Sequence, residues 1–301
     1  MKIGCTTTEY VTRFGHEVGL KYLADGGIDA LDYGFFSPKL QEVFALDDEA
    51  FAAHFAEVKA ICDKLGLEVG QLHSPMPSYV GNEERDAEIF EIQRRSIVAA
   101  GLLGSKYIII HPCIPRVYRY TTYREETKKI NMDFYSRLAP TAEQYGVKIC
   151  LENMFNGDAK HPAGYCICPT VISTSWEMKD YFKTLAAPNL FAYCLDIGHA
   201  NLTGSSPEQM IYDLGDNLET LHVHDNDGLR DMHECPYRGN INWDKVMAAL
   251  RDVRYSGVFN FEADTHNRMY IGSIPEMGPV ILSKMGHYLT DVLMTKENVK
   301  L

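Results

Sequence analysis

Eight short, nearly continuous apolar runs alternate with amphipathic stretches along this chain of 301 residues. The runs fall at 2–5, 28–34, 67–73, 105–111, 147–153, 191–197, 219–225 and 257–263. Most lack the in–out alternation of a half-wetted strand. Each therefore predicts a strand covered on both faces, as in a parallel sheet flanked by helices. The stretches between them predict helices at His16–Ala24, Asp48–Leu65, Glu83–Leu103, Tyr123–Tyr145, Trp176–Leu185, Pro207–Leu214, Trp243–Val253 and Pro275–Thr295. Gly66, Gly104 and Gly146 follow three of them, as C-terminal caps do. Strict alternation of this kind predicts an α/β fold, a closed parallel (β/α)8 barrel forming one domain over 1–301. A doubly wound open sheet competes, because strand order is invisible in a sequence. No Gly-x-Gly-x-x-Gly follows the first strand to support it.

Several of these runs stop on an ionisable side chain. They are Gln71-Leu72-His73, Ile108-Ile109-Ile110-His111, Ile149-Cys150-Leu151-Glu152, Tyr193-Cys194-Leu195-Asp196, Leu221-His222-Val223-His224-Asp225, Asn260-Phe261-Glu262 and, more weakly, Leu31-Asp32. A buried strand ending on a charge is costly unless something neutralises it. Repeated at many strand ends, the pattern describes one pocket. Glu152, Asp196, His222 and Glu262 close the last four strands. Their three carboxylates would repel, and a divalent cation removes that repulsion. Three oxygen ligands and one imidazole favour Mn²⁺ first, then Mg²⁺, with Co²⁺ and Zn²⁺ as alternatives. His73, His111, His199, His224, Asp231 and His233 form a second group, suited to a further metal, to substrate hydroxyls or to orienting the first ligands. Asp225 and Asp227 are expected to shape their loop or orient the imidazoles.

Two strand-to-helix loops are long. Residues 154–175, with His161-Pro162 and Cys166-Ile167-Cys168-Pro169, follow the fifth strand, and residues 226–242 follow the seventh. Both are expected at the catalytic rim, the first as a lid that closes over substrate.

Bulk properties narrow the function further. A net charge of −12 lacks the basic footprint of a duplex-DNA binder, so nucleic acid is disfavoured. No run approaches the roughly 18 apolar residues of a membrane span, and the start at Met1-Lys2-Ile3 has no secretory core. A cytoplasmic protein is expected, its eight scattered cysteines reduced and mostly structural. The partner is a small molecule, and self-association into a homo-oligomer stays open.

At this point the chain resembles a known superfamily. Leu151-Glu152-Asn153, the run 194–201 (Cys-Leu-Asp-Ile-Gly-His-Ala-Asn), the run 221–228 (Leu-His-Val-His-Asp-Asn-Asp-Gly), Asp231-Met232-His233 and Gly239-Asn240-Ile241-Asn242-Trp243 resemble the xylose isomerase-like TIM barrels. Sugar and sugar-phosphate isomerases and epimerases, inosose dehydratases and endonuclease IV belong to that group. The epimerase branch implies that Glu152, Asp196, His222 and Glu262 hold one catalytic metal and that Glu152 and Glu262 also move protons. The reaction then passes through an enediolate of a small sugar, sugar phosphate or polyol ketone. His199 would contact substrate oxygens, and Arg238 would bind a substrate anion. The endonuclease IV branch, with three zincs and abasic-site DNA as substrate, finds a match at His73, His111, Glu152, Asp196, His199, His222, Asp231, His233 and Glu262. Against it stand the acidity and the segment Glu234-Cys235-Pro236-Tyr237-Arg238, which replaces that branch's glycine-rich stretch. A non-catalytic metal-binding subunit is the third reading, opposed by the retention of both glutamates.

Overall fold

The computed structural model describes residues 1–115, 122–158 and 166–294. Ten strands occur among them: β1 (Ile3–Thr6), β2 (Ala30–Gly34), β3 (Glu68–His73), β4 (Tyr107–Ile109), β5 (Lys148–Glu152), β6 (Phe155–Asp158), β7 (Cys166–Pro169), β8 (Phe191–Asp196), β9 (Leu218–His222) and β10 (Phe259–Phe261). All but β6 and β7 form a single parallel sheet in the order β10-β1-β2-β3-β4-β5-β8-β9. One residue past β9 the sheet closes. The Val223 N–H donates to the Asn260 carbonyl at 2.8 Å, and the Glu262 N–H donates to the Val223 carbonyl at 3.1 Å. Closure makes this a (β/α)8 TIM barrel and excludes the open sheet.

The two faces of each strand explain why the site lies where it does. Side chains two apart share a face. In β5, Ile149 and Leu151 pack outward against the helices, in the large core. Cys150 points inward, into a small buried cluster with Ile109, Ala192 and Cys194. Two residues on from Cys150 is Glu152, and two on from Cys194 is Asp196, so both carboxylates rise from this apolar plug into the C-terminal mouth. Burial pushes the Cys194 thiol up to about 12 and leaves it a small hydrophobe. Cys5, Cys62, Cys113, Cys150, Cys194 and Cys235 are free thiols.

The helices Asp48–Leu65, Glu83–Leu103 and Pro207–Leu214 carry the bounds that their periodicity predicts. Gly66, Gly104 and Gly146 end their helices in the left-handed region, at φ 71°, 77° and 65°. Other segments differ from expectation. The first helix runs Thr8–Asp25, earlier than His16, because Tyr10 and Val11 already bury a face before the kink at Gly15. Short helices at Ile197–Leu202 and Asp264–Ile271 replace expected loop, and the last predicted helix divides into Met277–His287 and a π-helical Tyr288–Leu293. The long loop after β5 contains the antiparallel hairpin β6–β7, while His161-Pro162 lies outside the described residues. No helix among the described residues is long and apolar enough to cross a membrane.

Candidate metal centre and active site

Glu152 at the end of β5, Asp196 at the end of β8, His222 at the end of β9 and Glu262 just beyond β10 converge. One ligand atom from each lies within 4.8 Å of the others. The hub is His222 Nδ1, at 2.9 Å from Glu152 Oε1, 3.3 Å from Glu262 Oε2 and 4.0 Å from Asp196 Oδ2. Glu152, Asp196 and His222 are fully buried, and Glu262 nearly so.

Local sequence explains each placement. Asp196 is both a strand end and a helix N-cap, its Oδ1 accepting the His199 N–H at 2.6 Å. That turn carries His199 to the rim, where its Nδ1 lies 2.9 Å from the Asn153 carbonyl. Gly198 within Asp-Ile-Gly-His has no alternative. A Cβ there would lie 1.9 Å from His224 Cε1. We expect Gly198→Ala to displace the His224 ring and to cost roughly 1–3 kcal/mol, as overpacking does. Urea denaturation measures this, and unchanged stability would show that the contact is not tight.

His224 Nε2 approaches Asp196 Oδ1 at 3.1 Å, and its ring stacks on His233 at 4.3 Å and 8°. His233 turns Nε2 to Asp231 Oδ2 at 2.8 Å and Nδ1 to the Glu262 carbonyl at 2.8 Å. On the opposite side, His73 and His111 bring their Nε2 atoms to 2.8 Å, and His111 Nε2 is also 2.8 Å from Glu152 Oε2. The expected second group is thus gathered around the first. Asp225 and Asp227 hold the loop instead: Asp225 accepts the Trp243 indole N–H at 2.9 Å, and Asp227 accepts the backbone N–H groups of Leu229 and Arg230.

Arg238 is not brought together with these residues. It is 63% exposed, its nearest carboxylate partner is Glu234 at 4.0 Å, and it does not line the cavity above the carboxylates. Among the described residues, the Lys or Arg side chain on that wall is Arg268, held at 2.8 Å by Glu9. Sequence reasoning missed it because it lies on the unexpected helix Asp264–Ile271. The cavity, about 430 Å³, has a floor of His111, Glu152, His199, His233 and Glu262. Phe36, Met154 and Phe155 form part of an apolar wall, the last two from the loop after β5.

The electrostatics show what the centre is built to hold. Burial pushes the Glu262 carboxyl well above its ordinary range, and Glu152 and Asp196 add to it. Burial acts on Glu152 in the same direction, but His222 and His111 outweigh it and hold that carboxyl well below its ordinary range. His233 is raised well above its ordinary value by Asp231 and Glu262, against its burial. Buried His73 Nδ1, His224 Nδ1 and Asp231 Oδ1 have no hydrogen-bond partner. A buried carboxyl driven to hold its proton beside two ionised ones, with unpaired imidazole nitrogens around them, fits a divalent cation.

The family model of the xylose isomerase-like TIM barrel matches residues 20–279. The chain belongs to that family. Among curated relatives, an uncharacterized protein of Methanocaldococcus jannaschii is 31% identical over 175 residues, 57% of this chain and 55% of the relative. Inosose isomerase of Bacillus subtilis is 29% identical over 166 residues, 53% of this chain and 54% of the relative. The chain thus spans about half the length of these relatives. Among solved structures of the same barrel, a D-tagatose 3-epimerase-like protein matches with a TM-score of 0.75 at 23% identity, covering 97% of this chain and 98% of the other. The IOLI protein with a binding zinc atom matches with a TM-score of 0.73 at 19% identity, covering 99% and 100%.

Proposed function

We propose that this protein is a metal-dependent isomerase or epimerase of a small sugar, sugar phosphate or related polyol ketone. The observation that carries this reading is the pair Glu152 and Glu262. They approach His222 Nδ1 at 2.9 and 3.3 Å, both line the cavity, and their surroundings push their proton affinities in opposite directions. Two carboxyls separated in this way suit one to take a proton while the other gives one. The inosose isomerase relative and the epimerase-like neighbour support the same chemistry.

Glu152, Asp196, His222 and Glu262 would hold the ion, Mn²⁺ being our first choice among Mn²⁺, Mg²⁺, Co²⁺ and Zn²⁺. Held by these residues, a divalent cation would supply Lewis acidity to a substrate carbonyl. One glutamate removes the proton beside the carbonyl, giving an enediolate, and the other returns a proton to the opposite face or the neighbouring carbon. His199 faces the same cavity and offers its ring to substrate hydroxyls. Phe155, edge-on to His199 at 4.8 Å, narrows the mouth and excludes water on that side.

A panel of ketoses, inososes and their phosphates, incubated in D₂O with each metal, tests the reading. Deuterium should enter beside the carbonyl of at least one substrate. A metal-loaded protein that exchanges no proton on any of them refutes it.

A second reading rests on the flanking groups His73–His111–Glu152 and His224–His233–Glu262, each able to gather three ligand atoms. Several metals side by side suit phosphodiester cleavage, as in endonuclease IV. The cavity disfavours a polyanion, because among the described residues Arg268 is the one Lys or Arg lining it and stands among Glu9, Asp231 and Asp264. Cleavage of abasic-site duplex DNA, with three zincs per chain, would reverse the order of the two readings.

A further inference from the structure

Below the four proposed ligands lies a buried carboxylate that the mechanism does not use. Asp32, on β2, is fully buried. Its Oδ2 receives three donors from three other strands: Gln71 Nε2 on β3 at 2.9 Å, Asn260 Nδ2 on β10 at 3.0 Å and His222 Nε2 on β9 at 3.1 Å. No Lys or Arg pairs with it among the described ion pairs. These donors offset part of the cost of stripping a carboxylate of water at this depth, while the other oxygen, Oδ1, has no hydrogen-bond partner. With Oδ2 taken by three donors, only Oδ1 is left to meet an ion beside His73 and His222.

The consequence lies in the His222 ring. Its two nitrogens look in opposite directions, Nε2 down to Asp32 and Nδ1 up to Glu152 and Glu262. A neutral imidazole carries one proton, and the hydrogen bond made by one nitrogen decides which. With the proton held on Nε2 by Asp32, the Nδ1 lone pair is free and aimed at the convergence of the three carboxylates. His73 fixes the plane of the ring, stacked on it at 4.7 Å and 25°. A neutral amide in place of Asp32 offers the ring a donor as readily as an acceptor and no charge to raise the basicity of Nδ1.

We infer that Asp32 is a positioning residue for the metal site: it fixes the tautomer and orientation of His222 so that Nδ1 faces the ion. This rests on the metal reading above but not on the identity of the sugar. Gln71 and Asn260 also donate to Asp32 Oδ2 but make no hydrogen bond to the ring nitrogen.

Two measurements on the full chain test the role. In the ¹⁵N spectrum of zinc-loaded wild-type protein, His222 should show a protonated Nε2 and a metal-bound Nδ1. The opposite pattern overturns the inference without any variant being made. Asp32→Asn should weaken Zn²⁺ binding, measured by chelator competition, by about 10–100-fold, the usual effect of losing such a partner. The metal-free variant should keep the wild-type circular dichroism. Gln71→Leu, which leaves the Asp32–His222 contact in place, should bind Zn²⁺ within about threefold of wild type, since no partner of the ring nitrogen is lost. Equal loss in both variants would mean general damage to the layer and sink the role, as would an Asp32→Asn protein that binds like wild type. Wild-type protein that binds the ion yet exchanges no sugar proton would overturn the proposed reaction and leave this role standing.

Discussion

Glu152→Gln and Glu262→Gln are each expected to lower turnover of the accepted sugar by about a thousandfold or more. Removing a positioned proton carrier costs on the order of 10²–10⁴-fold, and here the same residue is proposed as a ligand as well. The change is isosteric, so packing at the barrel mouth is preserved. The double variant should be little worse than either single one, because groups that act as a unit are not additive. The check is deuterium exchange beside the carbonyl, followed alongside metal content. A variant that keeps its ion but loses exchange isolates the proton-transfer role. Turnover within about tenfold of wild type in both variants would falsify the assignment of the two glutamates, since neither loss would then reach the lower end of that range.

The second large effect is thermal. Without a cation, Glu152, Asp196 and Glu262 crowd His222 at distances of 2.9–4.0 Å, and Glu262 is driven to hold a proton. An ion that binds the folded chain alone stabilises it by about 4 kcal/mol at a thousand times its Kd. For a chain of this length that raises Tm by roughly 8 °C, at about 2 °C per kcal/mol. Thermal scans in excess chelator and in saturating Mn²⁺ should therefore differ by that much, and His222→Ala should abolish most of the difference. Equal Tm values across Mn²⁺, Mg²⁺, Co²⁺, Zn²⁺ and chelator would remove the metal from the account.

The amino-acid sequence is informative about the frame for a clear reason. A strand covered on both faces needs an unbroken apolar run, and Ile108–Ile110 beside Ile149–Leu151 is such a pair. A helix stop needs a residue at ease with positive φ, and Gly66, Gly104 and Gly146 each supply one. Polar strand ends were equally plain, because burial makes Glu152, Asp196 and His222 conspicuous among apolar neighbours.

Other features depended on contacts between distant segments. Arg238 and Arg268 are alike as residues. Only the placing of the helix Asp264–Ile271 turns Arg268 to the cavity, while Arg238 stays out on the surface near Glu234. Asp32 ends a run no more telling than many others, until β2, β3, β9 and β10 bring three donors onto one of its oxygens. The hairpin β6–β7 was hidden for a similar reason, since its pairing satisfies backbone groups that any loop sequence carries. By itself the sequence determined the repeating elements and the side chains that end the strands, because local periodicity and burial act along the chain. The tertiary structure alone decided which of those side chains share a proton, a donor or a cavity wall, because such pairings are set through space by how the barrel closes.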